Sequence, residues 1–372
     1  MKQDYPQTRV LVTGGCGFVM SNVIRNLLAA NLDATVVSLD INATDRLTQK
    51  FFEPFSDRIT HIQGDVRQPS SFNLIPNDQP ITHVVHAAMI AHQPQWEREH
   101  PDKVLEVNIM GTVNALEWTR TQPNIMRFLY VSSGDVYGEP NEETSQKPHL
   151  ETGTLDQPEL YAISKYASEQ IVRRYGDIFN LDTATVRFSG VFGPMERPTP
   201  GRSIMAMPYH MVRAAIENRP LRVTAGTLQA GADFISSEDI GSILPRLLVS
   251  PTLSHDIYNV AYGQFTAVPD VFESFKSIVP EFDHEVVIPE LADVIRDPSR
   301  RLARWNAYDI GRLSSEFDWQ PRPIAEQLAS YFQWVMQDPE LHCPRLPQEN
   351  LLNVWMFGYS RSSGIRVDRW QY

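Results

Sequence analysis

The chain has 372 residues, a formal net charge of −12 and 42% hydrophobic residues. The acidic balance argues against a general surface for nucleic acid or anionic membranes, and two cysteines are too few for a disulfide framework. Residues 1–9 are polar, and no apolar run approaches the roughly 20 residues that span a bilayer. We therefore expect a soluble cytoplasmic protein without a signal peptide, and no pattern indicates a metal site.

The first half of the chain alternates short β-branched runs with helical patterns. Helical periodicity follows residue 18 and covers about 101–120 and 158–175. Strands alternating with helices predict a parallel sheet covered on both faces, a Rossmann-type doubly wound α/β fold. The predicted strands are 10–13, 34–40, 59–63, 83–87, 127–132 and 183–188.

The composition of the sequence changes near residue 191, where a stretch rich in Pro, Gly and Arg begins. We predict a dinucleotide-binding domain over 1–190, with returning segments near 232–262. A smaller mixed α/β substrate domain is predicted from 191–231 and 263–340. Residues 341–372 form a tail with five aromatic side chains after residue 350, which we expect to pack on the body or on a partner subunit.

A glycine-rich turn follows the first predicted strand and precedes the first predicted helix. Gly14 and Gly17 occupy two positions of a dinucleotide-binding loop, which presents backbone N–H groups to a pyrophosphate. The third glycine of that pattern is replaced by Met20. We expect altered helix packing there rather than loss of binding. Cys16 is interpreted as a small filler of the loop rather than a reactive thiol.

Three further features support a dinucleotide site. Asp40 ends the second strand, where an acid accepts hydrogen bonds from a ribose 2′-hydroxyl and repels a 2′-phosphate, so NAD is favoured over NADP. Asp65 and Val66 follow the third strand, where they can meet an adenine ring. Ala87 and Ala88 are small enough to leave room for the cofactor at the end of the fourth strand.

A tyrosine and a lysine lie one helical turn apart in the predicted helix near 158–175. Tyr161 and Lys165 share one helical face, and the serine pair Ser132–Ser133 ends the fifth strand. A phenol with a pKa near 10 is a poor base unless nearby positive charge lowers that pKa. With Ser133 holding the same oxygen, such a group can remove a proton from an alcohol while hydride leaves its carbon.

These motifs occur in an order that resembles the extended short-chain dehydrogenase/reductase family, the NAD-dependent sugar epimerase/dehydratase group. The resemblance covers about residues 8–340. It implies a Ser133, Tyr161 and Lys165 catalytic triad, support of its helix by Asn108, and a homodimer formed through the helices near 101–120 and 158–176. The motifs are Thr13–Phe18, Asp65–Val66, His86–Ala88, Asn108–Thr112, Ser132–Gly138, Tyr161 with Lys165, and Arg187 with Gly193–Pro194. The NAD-binding residues that it implies are Gly14, Gly17, Phe18, Val19, Asp40, Asp65, Val66, Ala87, Ala88, Asn108, Tyr161 and Lys165.

The sequence departs from the family pattern after the catalytic serine. Relatives that act as 4,6-dehydratases carry adjacent Asp and Glu there, where this chain has Gly134 and Asp135. The acid that would expel water is missing, which argues against a standard dehydratase. Asp135 remains a candidate base for a proton next to a ketone, which would permit 5-epimerisation. A loop carboxylate that caps local N–H groups is the alternative.

A second departure concerns the substrate. Ala232 replaces an arginine that commonly grips a nucleotide diphosphate in the family, which weakens the case for a nucleotide sugar. Other side chains could line a substrate pocket or hold an anion. The candidates are His92, Arg197, Arg202, Arg296 and Arg300.

The sequence therefore predicts an NAD-dependent epimerase that acts on a sugar or nucleotide sugar through a transient keto intermediate. A small-molecule sugar is the expected partner. An NAD-dependent dehydrogenase of a free sugar or sugar acid and a 5-epimerase or dehydratase that uses Asp135 stay open as alternatives. A non-catalytic NAD-binding protein is a third interpretation, against which the intact Ser133, Tyr161 and Lys165 argue.

Overall fold

A computed structural model describes residues 8–90, 94–138, 147–157, 159–199, 202, 204–295 and 306–346. None of the helices in these ranges is both long and apolar enough to cross a membrane. The strands are β1 Arg9–Thr13, β2 Thr35–Asp40, β3 Ile59–Gln63, β4 His83–His86, β5 Arg127–Ser133, β6 Thr183–Phe188, β7 Gly190–Phe192, β8 Leu221–Val223, β9 Gly231–Ala232, β10 Phe234–Ser236, β11 Ile257–Val260, β12 Thr266–Ala267 and β13 His284–Val286. The helices are α1 Phe18–Ala30, α2 Arg46–Phe52, α3 Pro94–Glu99, α4 Pro101–Leu105, α5 Gly111–Thr119, α6 Leu160–Phe179, α7 Met207–Ile216, α8 Ser237–Val249, α9 Val268–Lys276, α10 Gly311–Phe317, α11 Ile324–Met336 and α12 Pro339–His342.

Seven parallel strands form the main sheet in the order β11-β6-β5-β4-β1-β2-β3. The predicted α/β fold is confirmed, and the six predicted strands are all present. The strand order reverses between β1 and β4, and the crevice at such a reversal is where ligands bind in open α/β sheets. The glycine loop after β1 and the segment after β4 therefore meet at one edge.

The two faces of the sheet are buried against different helices. One core combines sheet residues such as Val10 and Val12 with α1 and α8. The other combines Leu11 and Val37 with residues of α5 and α6. A Cβ atom on Gly241 of α8 would lie 2.9 Å from a carbonyl oxygen of α1, so this glycine permits the close approach of the two helices.

A separate core gathers residues between Phe192 and Cys343. It includes α7, α9 and α11 with three two-stranded sheets, in the part of the chain where a smaller mixed domain is predicted. The main sheet takes its last strand, β11, from the segment predicted to return to the first domain, although no strand was predicted there. Predicted helix 101–120 is also less regular than expected, since a π-helical turn, Glu106–Met110, separates α4 from α5.

Candidate active site

The glycine loop forms a narrow passage between β1 and β4. Gly14 has φ +71°, and a Cβ atom there would lie 3.1 Å from the backbone of Ala88. Gly17 is the N-cap of α1 and leaves the first turn without a side-chain cap. Phe18 and Val19 begin the helix, where N–H groups lack intrahelical partners and can hold a phosphate. We call Gly14, Gly17 and the first turn of α1 the glycine cradle. It fits a dinucleotide pyrophosphate, because a Cβ atom on Gly14 would narrow the gap between this loop and the backbone of Ala88.

Asp40 lies at the end of β2 beside the loop. One carboxylate oxygen accepts the Cys16 N–H at 3.1 Å, and the other accepts the Asn42 N–H at 2.9 Å. These bonds fix the acid next to the place expected for an adenosine ribose. Burial raises the pKa of the neighbouring Cys16 thiol to about 11, which fits a filler and not a nucleophile.

Asp65 and Val66 line the end of β3 as the sequence indicated. The Asp65 carboxylate accepts three hydrogen bonds from the Arg67 guanidinium, the shortest at 2.6 Å. Burial alone would raise the pKa of Asp65, but these bonds hold it below its ordinary value. Val66 is buried, and a Cβ on Gly111 would lie 2.7 Å from its Cγ2 atom. A glycine at the start of α5 thus lets this helix pack on the predicted adenine site.

His86 lies in the interior between β1 and α5. Its Nδ1 atom is 2.8 Å from the Thr13 hydroxyl, and its Nε2 atom is 3.1 Å from the Thr112 hydroxyl. Burial lowers the pKa of His86 to about 3, so the ring is neutral. The Thr13 hydroxyl also accepts the N–H groups of Ala87 and Ala88. The histidine therefore orders the end of β4 and is no candidate for proton transfer at neutral pH.

Asn108 connects three parts of the site. Its side chain donates to the Ser164 hydroxyl at 2.9 Å and accepts the Ile90 N–H at 3.0 Å. The π-helical turn directs its carbonyl oxygen to the hydroxyls of Thr112 and Ser168, at 2.7 and 2.8 Å. Because Ser164 and Ser168 lie on α6, these contacts join the segment after β4 to the helix that carries the candidate catalytic residues.

Ser133, Tyr161 and Lys165 meet at the carboxyl end of β5. Ser133 is the last residue of β5, and its side chain hydrogen-bonds Tyr161 and accepts the Asp135 N–H at 3.2 Å. The Tyr161 hydroxyl donates to the Met89 sulfur at 3.3 Å. Lys165 is buried, donates to the Val131 carbonyl at 2.5 Å and lies 4.5 Å from the centre of the Tyr130 ring.

The electrostatics of this trio are dominated by burial. Burial raises the pKa of Tyr161 and the charge of Asp135 raises it further. A lowering of this pKa by the lysine together with a bound nicotinamide ring stays a prediction. Ser133 and Arg202, rather than Lys165, oppose the rise. Burial also lowers the pKa of Lys165 to about 7, although Glu169 and Asp135 resist this change.

Asp135 is enclosed next to the trio. Burial raises its pKa to about 7, with a contribution from Glu159, while Ser133 and Lys165 act in the opposite direction. Its neighbour Gly134 is packed under Tyr308, whose ring lies where a side chain at 134 would extend. Asp135 therefore can take up or release a proton near neutral pH.

The candidate arginines have different surroundings. Arg197 donates to Asp45 at 2.8 Å, to Thr48 at 2.9 Å and to the Met195 carbonyl, so it anchors the N-terminus of α2. Arg202 lies close enough to Tyr161 to lower its pKa. Ala232 pairs with β12 in a buried sheet. The other three candidates lie outside the described residues: His92, Arg296 and Arg300.

Two residues of this site were not found by sequence reasoning. Glu196 is fully buried and pairs with Arg202 at 2.6 Å. Tyr308 is buried over Gly134, and its hydroxyl has no hydrogen-bond partner in the described part of the chain. The sequence signal available for Glu196 was its position as an acidic residue within a stretch rich in Pro and Arg. No local pattern marks Tyr308.

The fold is that of an α/β enzyme with a glycine-rich loop after its first strand and a Ser–Tyr–Lys arrangement at the carboxyl edge of its sheet. Residues 10–261 match the NAD dependent epimerase/dehydratase family. The chain belongs to this family, as the resemblance of its motifs predicts.

Relatives and solved structures match most of the length of the chain. A putative UDP-glucose 4-epimerase of Methanocaldococcus jannaschii is 24% identical over 88% of this chain and 98% of its own length. The UDP-glucose 4-epimerase of Thermotoga maritima, solved with UDP-glucose, superposes with a TM-score of 0.74 at 20% identity, covering 90% of this chain and 100% of that one. The UDP-glucuronic acid 4-epimerase of Bacillus cereus, solved with UDP-glucuronic acid and NAD, superposes with a TM-score of 0.71 at 19% identity, covering 89% and 99%. At these identities the structures support the fold alone.

Proposed function

We propose that this chain is an NAD-dependent epimerase of a sugar or nucleotide sugar that works through a transient keto intermediate. The observation that carries the proposal is the meeting of Ser133, Tyr161 and Lys165 beside the glycine cradle. The cradle residues, with Asp40, Asp65, Val66, Ala87 and Ala88, would hold NAD, and the acid at Asp40 favours NAD over NADP.

NAD, when bound, would supply reversible hydride transfer at a ring carbon of the sugar. Tyr161 takes the hydroxyl proton of that carbon as the hydride leaves, and Ser133 donates a hydrogen bond to the same oxygen. Lys165, one turn further along α6, donates to the Val131 carbonyl and so holds the end of β5 against the helix that carries Tyr161. Tyr161 would give the proton back to the same oxygen when the carbon is reduced on its opposite face, which inverts that carbon.

The proposal is tested with the purified protein and its bound ligands. Mass spectrometry of the extracted ligands is expected to show NAD, and UDP-sugars or free uronic acids are then supplied. A substrate deuterated at the reacting carbon should give an inverted product that retains the label, because the hydride returns to the same molecule. Accumulation of reduced cofactor that carries the label, with an unlabelled oxidised sugar, would indicate a dehydrogenase instead.

The Tyr161→Phe variant tests the catalytic assignment. It is expected to lower turnover by about 10²–10⁴-fold, the usual contribution of a general acid–base group. Tyr166→Phe, on the same helix but packed under the loop near Tyr137, is the matched control. Full turnover by Tyr161→Phe would contradict the mechanism, and failure of the protein to bind NAD would contradict the whole proposal.

A second candidate reaction, 5-epimerisation, is favoured by Asp135. Its burial beside Tyr161 and its pKa of about 7 suit a base that removes a proton next to a ketone. Turnover in D2O would then place deuterium at C5, and Asp135→Asn would abolish that exchange. Product without deuterium at C5 would leave inversion at C4 as the reaction.

We also propose that the chain forms a homodimer through the helices around α4–α6. Apolar side chains on these helices are exposed, which is costly for an isolated subunit. They include Met110, Ile163, Ile178 and Phe179. A molecular mass of one chain in light scattering would contradict this assembly.

A further inference from the structure

A buried carboxylate holds one arginine at the edge of the catalytic cleft. The Arg202 guanidinium donates to Glu196 Oε1 at 2.6 Å, and the same oxygen accepts the Ala206 N–H at 2.8 Å. Glu196 is fully buried, whereas 29% of the Arg202 side chain is exposed. The carboxylate is therefore a fixed anchor, and the guanidinium is the part of the pair that another molecule can reach.

The guanidinium lies between the cofactor cradle and the catalytic phenol. Its central carbon is 5.1 Å from the centre of the Phe18 ring, at the first residue of α1. Its positive charge also lowers the pKa of Tyr161. A group bound by Arg202 would consequently lie beside the carbon whose hydroxyl proton Tyr161 removes.

Most of the hydrogen-bonding capacity of the pair is unused. A guanidinium has five N–H donors, and the described residues accept one of them, from Nη2. Arg202 Nε and Glu196 Oε2 are buried without a partner within those residues. Burial raises the pKa of Glu196, and the charge of Arg202 and the hydrogen bonds from Arg202 and Ala206 oppose this rise. A planar guanidinium in this state suits a carboxylate.

The resemblance to the family implies an arginine that grips a diphosphate at residue 232, and this chain has no charge there. Ala232 stands there, buried and paired with β12. We propose that Arg202, held by Glu196, binds a carboxylate carried by the sugar ring itself, so that the substrates are sugar acids. This inference rests on the proposed function, since it concerns the cleft beside Tyr161.

Binding measurements on the NAD-loaded protein test the inference without requiring turnover. Calorimetry compares UDP-glucuronate with UDP-glucose, and D-glucuronate with D-glucose. We expect the wild type to prefer each acid by at least about tenfold, equivalent to about 1.4 kcal/mol. Arg202→Gln should erase this preference, and Arg202→Lys should restore part of it by replacing the charge without the planar donors.

Arg222→Gln is the matched control. Arg222 is 35% exposed and pairs at 2.8 Å with Asp293, a carboxylate that is only 4% exposed, but it lies in the smaller domain away from Tyr161. Its variant should keep the acid preference. Equal binding of acid and neutral sugar by the wild type, or an unchanged preference in a folded Arg202→Gln, would overturn the inference.

The NAD content and the reaction separate the remaining outcomes. If Arg202→Gln loses NAD while keeping the acid preference, the arginine serves the cofactor and the inference is overturned. If the acids bind through Arg202 but none is epimerised, the inference stands and the proposed reaction fails. If neutral sugars are epimerised without any preference for acids, the reaction stands and the inference fails.

Discussion

The ring of Tyr308 occupies the space that a side chain on residue 134 would require. Packing therefore requires a glycine at position 134, where the dehydratases of the family carry an acid. Gly134→Asp, which restores the residue type found in dehydratases, should therefore lower the free energy of unfolding by about 1–3 kcal/mol through overpacking. It should produce no 4-keto-6-deoxy sugar. Urea unfolding and product analysis measure the two effects.

A double-mutant cycle isolates this contact. Tyr308→Ala removes the ring, so Gly134→Asp should cost at least about 1 kcal/mol less in that background than in the wild type. Tyr308→Phe is the conservative control, because it removes only a hydroxyl without a partner among the described residues. Additive costs in the cycle would show that the ring does not restrict residue 134.

Asn108→Ala should impair catalysis through the position of α6. The variant leaves the Ile90 N–H and the Ser164 hydroxyl without their partner, at a cost of about 1–3 kcal/mol in unfolding free energy. We expect kcat to fall by about tenfold with KM little changed, since α6 carries Tyr161. Asn26→Ala, which loses only a bond to the Asn22 carbonyl, is the control and should keep kcat. Equal kcat values in both variants would argue against the positioning role.

Met20→Gly should destabilise the protein instead of repairing its cofactor loop. Met20 is 3% exposed and belongs to the core that joins α1 to α8. Removing it creates a cavity worth about 2–5 kcal/mol, and glycine in a helix costs about 1 kcal/mol more. Met20→Leu keeps the volume and should cost less than about 1.5 kcal/mol. Tighter NAD binding by Met20→Gly at unchanged stability would instead show that the methionine loosens the site.

His86 should make the protein sensitive to acid. Its pKa is about 3 in the folded state and 6.5 in a free histidine, so the unfolded chain binds a proton that the folded chain refuses. Stability is therefore lost as the pH falls below 6.5, by about 1.4 kcal/mol for each pH unit, or about 2 kcal/mol between pH 7 and pH 5. His86→Gln should lose about that much less on acidification, whereas the exposed His255→Gln should behave like the wild type. Identical pH dependence in both variants would contradict a neutral His86.

The strands and the cofactor loop could be predicted because their signals are local. The runs that became β1 to β6 are short and apolar, and the glycines follow β1 directly. The π-helical turn at Asn108 could not be predicted, since its carbonyl partner Ser168 lies 60 residues away. Strand β11 is four residues long and gains its identity from pairing with β6. Burial of Glu196 depends likewise on its partner Arg202, and a charged residue in a loop is ordinarily solvated.

Ser133, Tyr161 and Lys165 come from β5 and α6, whereas Glu196 and Arg202 come from the stretch after β7. The residues proposed for proton transfer and the residues proposed to select the sugar substituent are therefore encoded in separate segments of the gene. Random mutagenesis confined to the later segment offers a route to enzymes that invert neutral or differently charged sugars without rebuilding the proton-transfer apparatus. Natural mutations in the same segment would let related proteins come to accept different sugars while they keep the same reaction.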